Sequence, residues 1–321
     1  MAEGLGQPSM QVSTVGEALV VLSPEQTGPL DLIPNLVKGV GGAEVNVAIG
    51  LARLGHSARW MGRVGKDPFG RQVERTLVAE RVDACVISDP SRPTGVCFEQ
   101  LSATGQHNAY YYRGRSAASA LSASEIACHS DWLLDTQIVH LTGITPALSA
   151  TCRAAVLELM REAGARGVPV SFDATTCVEL LGDTSAVELL YPLMRDSRIV
   201  FVSRTAAQKL FGADDVAALE QARESLNIGI LVTHDASGAW AVHHDGVDSA
   251  AAHRITVIDP AGARDAFVTG YLAGWLRSDS AVECLQMATL CAASVMTTRG
   301  NYLQCVGSPG RHSLDLAGWA Q

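Results

Sequence analysis

The chain has 321 residues, of which 47% are hydrophobic and 18% are charged. This composition excludes wholesale disorder, and the length allows a buried core without disulfide or metal staples. The net charge is −9, with no basic run, so the sequence disfavours nucleic acid and anionic membranes as partners.

The first ten residues lack the basic and apolar segments of a secretory signal. No stretch reaches the roughly 20 apolar residues of a membrane helix. The eight cysteines are scattered, without Cys-x-x-Cys pairs or the Cys/His spacing of a zinc site. We interpret them as reduced, mostly buried thiols, and the sequence predicts a cytoplasmic protein without a metal site built from cysteines.

Short apolar segments alternate with amphipathic segments along most of the chain. Strands are predicted at residues 12–22, 59–64, 138–141, 169–173, 199–202 and 229–233. Helices are predicted at residues 43–54, 67–80, 149–165, 205–211 and 265–276. This alternation predicts a single α/β domain over residues 1–321, in which helices cover both faces of a mostly parallel sheet.

Two stretches, residues 22–40 and 94–115, interrupt the alternation because they lack helical periodicity. The second contains two strand-like runs, 96–100 and 109–113, on either side of Gly105, which is a hairpin pattern. We therefore expect both stretches to form a small β lid on the α/β body.

Two glycine-containing loops, each followed by a predicted helix, carry the candidate chemistry. In residues 39–46 (GVGGAEVN), glycines allow backbone amides to approach a ligand at the positive end of the helix dipole, and Asn46 would present an amide there. In residues 259–265 (DPAGARD), Asp265 stands at the mouth of the helix. Local sequence leaves two roles open for Asp265, a plain N-cap or a general base that accepts a hydroxyl proton.

Six ordered segments together resemble the ribokinase-like (PfkB) carbohydrate kinases, and within them most of all 2-keto-3-deoxygluconate kinase. They are residues 16–19 (GEAL), 40–48 (VGGAEVNVA), 62–70 (GRVGKDPFG), 111–117 (YYRGRSA), 141–149 (LTGITPALS) and 259–267 (DPAGARDAF). The resemblance implies a three-layer ribokinase-like fold, with ATP and Mg²⁺ as cofactors. It also implies phosphoryl transfer to a hydroxyl of a small sugar or sugar acid such as 2-keto-3-deoxygluconate, and it allows a homodimer through the β lid.

Carried over by motif, the resemblance places the substrate between the glycine loop and the lid. Asp265 would be the base, and Gly262 and Ala263 would contribute an anion hole for the transferred phosphate. The implied substrate contacts are Gly42, Asn46, Tyr111, Tyr112 and Arg113. Arg113 suits a carboxylate because a guanidinium can donate two parallel hydrogen bonds to it. The alternative for the tyrosines is packing within the hairpin.

On the nucleotide side, four segments depart from the family pattern, and the first two concern the anion hole and a nucleotide-side Asn. Arg264 replaces the second glycine of the Gly-Ala-Gly-Asp motif, where family members need close backbone approach to phosphate. The family's Asp-x-Asn-Tyr-Arg segment reads DATTC at residues 173–177, so Thr175 replaces the Asn and the Arg is absent.

The other two departures concern the metal and the triphosphate. The family's Asn-x-x-Glu motif begins here at Ser203 and has Ala206 in place of the acid that organises Mg²⁺. The loop Thr-x-Gly-x-x-Gly runs from Thr233 to Gly238 and has Asp235 in place of its first glycine, where an acid would repel a triphosphate.

Three functions therefore remain open from the sequence. The chain could be a sugar-acid kinase with an unusual nucleotide site, an ATP-independent enzyme that uses Asp265 and Arg264 for proton transfer and oxyanion stabilisation, or a non-catalytic sugar-binding protein. Arg264 either clamps phosphate or blocks the anion hole. Because its side chain would occupy the space of the γ-phosphate, we expect ATP-dependent transfer to be slow or absent.

Overall fold

The computed structural model describes residues 8–102, 107–175 and 183–303. The strands in these ranges are β1 (Met10–Val15), β2 (Leu19–Pro24), β3 (Leu36–Gly41), β4 (Ala58–Gly65), β5 (Asp83–Asp89), β6 (Gly95–Leu101), β7 (His107–Tyr112), β8 (Thr136–Thr142), β9 (Val170–Asp173), β10 (Ile199–Ser203), β11 (Ile230–His234), β12 (Gly238–His243) and β13 (Gly246–Ala251). The helices are α1 (Ala43–Arg53), α2 (Pro68–Ala79), α3 (Ala123–Leu134), α4 (Ile144–Leu148), α5 (Ala150–Arg166), α6 (Asp183–Met194), α7 (Arg204–Phe211), α8 (Val216–Ser225), α9 (Ala263–Leu276) and α10 (Ala281–Met296).

The main sheet has nine strands in the order β13-β12-β11-β10-β9-β8-β1-β4-β5. The seven strands from β11 to β5 are parallel, and β12 and β13 extend one edge as antiparallel strands. One core lies between the sheet and α3, α5, α6, α7 and α8, and the other between the sheet and α1, α2, α9 and α10. The predicted three-layer α/β fold with a mostly parallel sheet is confirmed. Within the described ranges, no helix is both long and apolar enough to cross a membrane.

The lid is a second sheet of four strands in the order β3-β2-β6-β7. Its hairpin strands β6 and β7 pair antiparallel, with Cys97 opposite Tyr111, while the predicted tip at Gly105 falls outside the described residues. The prediction of one strand over residues 12–22 is wrong, because the chain leaves the main sheet after Val15 and enters the lid at Leu19. The crossing point is packed tightly, since a Cβ on Gly16 would lie 2.1 Å from the Glu44 carboxyl carbon. Strands of the main sheet and of the lid have the same kind of residue pattern. The pattern over residues 12–22 therefore could not show where the chain passes from one sheet to the other.

Asp67, in the segment 62–70, connects the α/β body to the β6–β7 hairpin of the lid. This residue is the N-cap of α2, and its Oδ1 accepts hydrogen bonds from the amides of Phe69 (2.9 Å) and Gly70 (2.8 Å). Its Oδ2 accepts from the amide of Thr94 (2.8 Å), and the Thr94 hydroxyl donates to Oδ1 (3.0 Å). Although burial opposes the shift, these hydrogen bonds lower the pKa of Asp67. One carboxylate thus caps a helix and fixes the start of β6.

We expect Asp67→Ala to lower the free energy of unfolding by about 2–4 kcal/mol, because it removes a cap and leaves the amide and hydroxyl of Thr94 without their acceptor. The matched control is Asp215→Ala, which removes the N-cap of α8 and one exposed bond to the amide of Ala218, and should cost about 1 kcal/mol. Urea unfolding measures both.

The folded-state pKa of Asp67 is lowered, so its stabilisation is present above the ordinary carboxyl pKa and is lost as the pH falls through the folded value. The difference in free energy of unfolding between Asp67→Ala and the unmodified chain should therefore become smaller as the pH falls. Equal losses for the two substitutions at neutral pH would show that Asp67 is an ordinary cap.

Candidate active site

The candidate site lies at the carboxyl ends of the parallel strands, beneath the lid. Strand β1 pairs with β4 on one side and β8 on the other, so the strand order reverses there, and ligands in open α/β sheets bind at such a point. A cavity of about 430 Å³, here called the lid cavity, occupies this position. Its lining includes Gly42, Asn46, Tyr111, Arg113, Gly262, Ala263, Arg264 and Asp265. The topology therefore brings the candidate sugar loop and the candidate base together.

Two glycines allow the helix N-termini to reach this cavity. Gly42, before α1, has φ 133°, and a Cβ there would lie 2.1 Å from the carbonyl oxygen of Glu17. Gly262, before α9, has φ 73°, and a Cβ there would lie 2.0 Å from the carbonyl oxygen of Asn301. L-residues rarely adopt either conformation, so these positions require glycine.

Asp265 is held by a side chain from the other end of the sequence. The Nδ2 of Asn46 donates a hydrogen bond to Oδ2 of Asp265 at 2.6 Å. Burial raises the pKa of Asp265 to about 7, with Asn46 and Arg264 opposing this shift and Asp173 adding to it. The N-cap of α9 is Gly262, so the interpretation of Asp265 as a plain N-cap is wrong. A carboxylate with a near-neutral pKa can accept a proton at neutral pH.

A second carboxylate of the lid cavity, Glu44, was missed by sequence reasoning. It is fully buried, and its Oε1 accepts hydrogen bonds from the hydroxyls of Thr142 and Thr145, each at 2.8 Å. Its Oε2 has no hydrogen-bond partner. Burial raises the pKa of Glu44 to about 7, the threonine hydroxyls oppose the shift, and Asp265 adds to it. The sequence did contain a signal for Glu44, because it is an acid on the apolar face of the predicted helix 43–54.

Arg113 is already paired before any substrate binds. Its Nη1 donates to Oε2 of Glu17 at 2.7 Å, and its guanidinium lies 4.2 Å from the ring centroid of Tyr111. Glu17 is only 2% exposed, and burial raises its pKa while Arg113 opposes the shift. A substrate carboxylate at Arg113 would therefore share the guanidinium with Glu17 rather than meet an unmatched charge.

The two adjacent tyrosines of the lid differ in position. Successive side chains of a strand point to opposite faces, so Tyr111 and Arg113 line the lid cavity while Tyr112 lies on the outer face. Tyr112 is 70% exposed and packs edge-on against Phe98, with ring centroids 5.5 Å apart. Tyr112 is therefore not brought to the cavity, and hairpin packing accounts for it.

The lid also contributes a glutamate–histidine pair, Glu99 and His107, that sequence reasoning missed. Glu99 is 8% exposed; its Oε2 accepts from the hydroxyl of Ser23 at 2.5 Å, and its Oε1 lies 3.6 Å from Nε2 of His107. This last distance is too long for a hydrogen bond, and the contact becomes an ion pair when His107 is protonated. Glu99 raises the pKa of His107. Both residues line the lid cavity and a neighbouring cavity of about 350 Å³. The lid therefore offers hydrogen-bond acceptors to a ligand in addition to the donor Arg113.

A cavity of about 790 Å³, here called the helix cavity, lies on the other side of Arg264. It is bounded by the loop after β11, the segment after β13, and helices α9 and α10. Its lining shares His234, Ala263 and Arg264 with the lid cavity. Its apolar lining includes Val257, Phe267, Ala292, Ala293 and Met296. Two cavities, one polar and one largely apolar, thus meet at the N-terminus of α9.

Asp235 and Gly238 lie in the lining of the helix cavity, but the charge of Asp235 is matched. Its Oδ1 accepts from the amides of Ser237 (2.6 Å) and Gly238 (3.2 Å), and its Oδ2 pairs with Arg204 at 3.0 Å. The sequence predicts an acid that repels a triphosphate, whereas in the structure the pair with Arg204 offsets the charge of that acid. The long-range partner, Arg204, was not identifiable from the loop itself.

The remaining nucleotide-side residues line neither cavity. The Oγ of Ser203 accepts from the amide of Ala206 at 3.1 Å, its own amide donates to the Thr175 hydroxyl at 3.1 Å, and the amide of Thr175 donates to Asp173 at 2.9 Å. Thr175, Ser203, Ala206 and Thr233 are buried or nearly so and are absent from both linings. Residues 176 and 177 of the DATTC segment fall outside the described ranges.

A Mg²⁺ ion held by protein side chains does not fit these residues. Ala206 supplies no carboxylate, and in the described ranges no group of three or more His, Cys, Asp and Glu side chains is placed to hold a metal ion. Mg²⁺ in nucleotide sites is bound largely by phosphates and water, so an ion that enters with a nucleotide needs few protein ligands.

The mostly parallel sheet, the lid over its carboxyl edge and the cavity that holds Asn46 and Asp265 beneath the lid define a kinase of the ribokinase-like fold. The chain belongs to the pfkB family of carbohydrate kinases, whose family model matches residues 10–306. The fructokinase of Escherichia coli is 31% identical over 307 residues, which cover 91% of this chain and 95% of the relative. The 2-dehydro-3-deoxygluconokinase of Thermoproteus tenax is 30% identical over 293 residues, covering 89% and 88%.

Solved structures agree with this assignment. A PfkB protein from Polaromonas sp. JS666 is 30% identical and superposes with a TM-score of 0.81, covering 89% of this chain and 95% of that chain. The 2-dehydro-3-deoxygluconokinase of Thermotoga maritima has a TM-score of 0.84 at 21% identity, covering 91% and 94%, and supports the fold alone.

The buried acid Glu44 predicts a pH-dependent stability. Its folded-state pKa of about 7 is above the ordinary value of 4.5, so its stabilisation is present below the ordinary value and is lost as the pH rises through about 7. We expect the unmodified chain to lose about 1–3 kcal/mol more than Glu44→Gln between about pH 5 and pH 8. Urea unfolding across this range measures the difference.

The control is Glu220→Gln, which changes an exposed acid on α8. Its pH dependence should equal that of the unmodified chain. A parallel pH dependence for Glu44→Gln and the unmodified chain would show that Glu44 keeps its charge state over this range.

Proposed function

We propose that the chain transfers the terminal phosphate of ATP to a hydroxyl of a sugar or sugar acid, with Asp265 as the general base. The observation that carries this proposal is the position of Asp265. Its carboxylate has a pKa of about 7, is held by Asn46, and lines the lid cavity next to Arg264, which lines both cavities. A base that is partly deprotonated at neutral pH suits abstraction of a hydroxyl proton.

In this reaction Asp265 accepts the proton of the sugar hydroxyl while the hydroxyl oxygen forms a bond to phosphorus and the nucleoside diphosphate leaves. The hydrogen bond from Asn46 fixes the orientation of the carboxylate. The lid cavity provides further polar groups, Arg113, Glu99 and His107, that could hold the sugar. The chain's own part is thus to position the hydroxyl and to remove its proton.

The helix cavity supports a nucleotide donor. Its apolar residues, among them Val257, Phe267 and Met296, suit a nucleobase, and Arg264 lies at its border with the lid cavity. Kinases of this family use ATP and Mg²⁺. Pairing of Asp235 with Arg204 reduces the repulsion of a triphosphate, whereas Ala206 leaves Mg²⁺ without the family's acid. We therefore expect turnover below the usual range of about 1 to 1,000 per second.

Two substrate classes are supported unequally. Relatives act, by their names, on 2-dehydro-3-deoxygluconate and on fructose. Arg113 favours a sugar acid because it lines the cavity and can share its guanidinium between Glu17 and a carboxylate. Assays with ATP, Mg²⁺ and either 2-keto-3-deoxygluconate or fructose should give the higher kcat/KM for the acid.

The assignment of the base predicts a specific pH profile. The kcat/KM for phosphoryl transfer should fall as the pH decreases below about 7, because protonated Asp265 cannot accept the hydroxyl proton. Asn46→Ala should move this acid limb to higher pH, since the hydrogen bond from Asn46 holds the pKa down. Asp265→Asn should lower kcat at least about a hundredfold. Steady-state assays across the pH range measure all three.

Glu44 provides the control, because its pKa is also about 7. Retention of the acid limb in Glu44→Gln assigns the limb to Asp265. Loss of the limb in Glu44→Gln, or an undiminished kcat in Asp265→Asn, would contradict the assignment.

A second candidate is a non-catalytic sugar-binding protein, and Ala206 and Arg264 favour it. Both replace residues on which phosphoryl transfer in the family depends, and neither replacement touches the lid. Calorimetry with the sugar and with ATP separately distinguishes the two candidates. Sugar binding that Asp265→Asn leaves intact, without ATP binding, supports the sugar-binding protein; conversion of the sugar without ATP would instead indicate an ATP-independent enzyme that uses Asp265 and Arg264.

We also propose a homodimer that forms through the lid. Exposed aromatic side chains, Tyr110 and Tyr112, lie on its outer face, and β3 and β7 form the edges of its sheet. Exposed apolar patches and unpaired strand edges favour association.

The dimer predicts twice the chain mass in sedimentation equilibrium at micromolar concentration. Tyr112→Glu should shift the equilibrium towards monomer, because a charge would be buried in the interface. Val216→Glu, at a 45% exposed position on α8, should leave the mass unchanged. A monomer at all concentrations, or equal effects of both substitutions, would contradict the interface.

A cytoplasmic location also remains a proposal. In the described part of the chain, six cysteines are free thiols: Cys85, Cys97, Cys128, Cys152, Cys284 and Cys291. Unpaired cysteines of this kind are usual in reducing compartments.

A further inference from the structure

Glu17 and Arg113 form an ion pair in the wall of the lid cavity. Oε2 of Glu17 accepts a hydrogen bond from Nη1 of Arg113 at 2.7 Å, and both residues line the cavity. The side chain of Glu17 is 2% exposed and that of Arg113 is 13% exposed. A Cβ on Gly95, the first residue of β6, would lie 3.2 Å from Oε1 of Glu17 and 3.3 Å from Cβ of Arg113. The pair is therefore packed closely against the lid, where little water screens its charges.

Arg113 is the main match for the charge of Glu17 among the described residues. The hydroxyl of Ser116 lies 3.5 Å from Oε1 of Glu17, at the outer limit of a hydrogen bond. The neighbouring strand β6 and helix α5 contribute the thiols of Cys97 and Cys152, and burial raises the pKa of both, so they are uncharged near neutral pH. Burial also raises the pKa of Glu17, and Arg113 opposes this shift. The ionised state of Glu17 therefore depends on the undivided charge of one guanidinium.

A substrate carboxylate at Arg113 divides that charge. The guanidinium has further N–H donors beside Nη1, so it can hold a second carboxylate, and it lies 4.2 Å from the ring centroid of Tyr111, which also lines the cavity. Two carboxylates on one buried guanidinium leave a net negative charge, and this favours protonation of one of them. A 2-keto acid is the stronger acid because its keto group withdraws electrons, whereas burial already favours the protonated form of Glu17. The proton therefore goes to Glu17.

We propose that Glu17 takes up a proton from solvent when a substrate carboxylate binds Arg113, so that it makes the binding of sugar acids, but not of neutral sugars, dependent on pH. The identity of the carboxylate as that of a sugar acid rests on the proposed function. Glu17 holds its proton more tightly in the complex than in the free chain, so affinity for the acid is greatest at low pH. It falls as the pH rises through the range in which Glu17 of the complex loses its proton.

A neutral sugar adds no charge and leaves the pair unchanged. Glu17 is thus a specificity-determining residue, because it sets the pH range in which the lid cavity prefers an acid to a neutral sugar.

The test is calorimetric titration of the full chain with 2-keto-3-deoxygluconate, without ATP or Mg²⁺, between about pH 6 and pH 9. Titrations in two buffers of different ionisation enthalpy give the number of protons taken up. The unmodified chain should bind the acid with proton uptake, and more weakly at the higher pH. Glu17→Gln keeps the size of the side chain and removes the titrating group. It should lose this uptake and bind the acid about tenfold more tightly than the unmodified chain at the alkaline end.

Three controls assign the proton to Glu17. Asp265→Asn changes another acid of the lid cavity and should retain the larger part of the uptake. Fructose, which has no carboxylate, should give the same result with Glu17→Gln as with the unmodified chain. Arg113→Gln carries the test if Glu17→Gln does not fold: without the guanidinium, Glu17 is already protonated in the free chain, so the acid should bind at least about tenfold more weakly and without the uptake.

Equal proton uptake in Glu17→Gln and the unmodified chain, no gain in affinity at the alkaline end, or no binding of the acid at about 10 mM would each overturn this role of Glu17. The outcome is distinguishable from failure of the proposed function. Uptake that depends on Glu17, in a chain that transfers no phosphate from ATP, retains the role and removes the kinase. Transfer to the acid, with an uptake that Glu17→Gln leaves unchanged, retains the kinase and removes the role.

Discussion

The hydrogen bond between Asn46 and Asp265 is the interaction on which the arrangement of the site depends. It joins residues 219 positions apart and fixes the N-termini of α1 and α9 against each other at the carboxyl edge of the sheet. The approach is possible because Gly42 and Gly262 pass close to neighbouring carbonyl groups. Without the bond, a carboxylate with a raised pKa would face the cavity unoriented, and unpaired buried carboxylates are costly. The same contact therefore supports the fold and prepares the base.

Several acids at this edge are poorly solvated, which is unusual for a structural core. Glu44 and Glu17 are at most 2% exposed, and Asp265 carries a pKa of about 7. Each has fewer partners than its charge would require, since Glu44 has one oxygen without a partner and Glu17 depends mainly on Arg113. Such groups reduce stability at high pH and are retained where their protonation is useful. The concentration of them under the lid marks the edge as the functional part of the molecule.

The sequence predicted the features that depend on local pattern. Alternating apolar strands and amphipathic helices indicated the three-layer fold, and the glycine loops before two helices indicated that Gly42 and Asp265 would line one cleft, which is the lid cavity. Features set by contacts between distant segments were missed. The side-chain face of Tyr112 depends on strand register, and the pairing of Asp235 depends on Arg204. Neither leaves a periodic signal in the chain.

Arg264 connects the two halves of the site, and its effect follows from where its neighbours lie. A glycine at this position would expose backbone amides whose geometry is fixed by the helix, whereas a guanidinium brings a full charge on a flexible stem. Burial raises the pKa of Asp265, and the charge of Arg264 partly offsets that shift, so Arg264 makes the base easier to deprotonate. A glycine at this position would leave the effect of burial on Asp265 without this opposing charge, and the base would then be protonated up to a higher pH. The residue that departs from the family motif therefore acts directly on the residue that the motif supplies as the base.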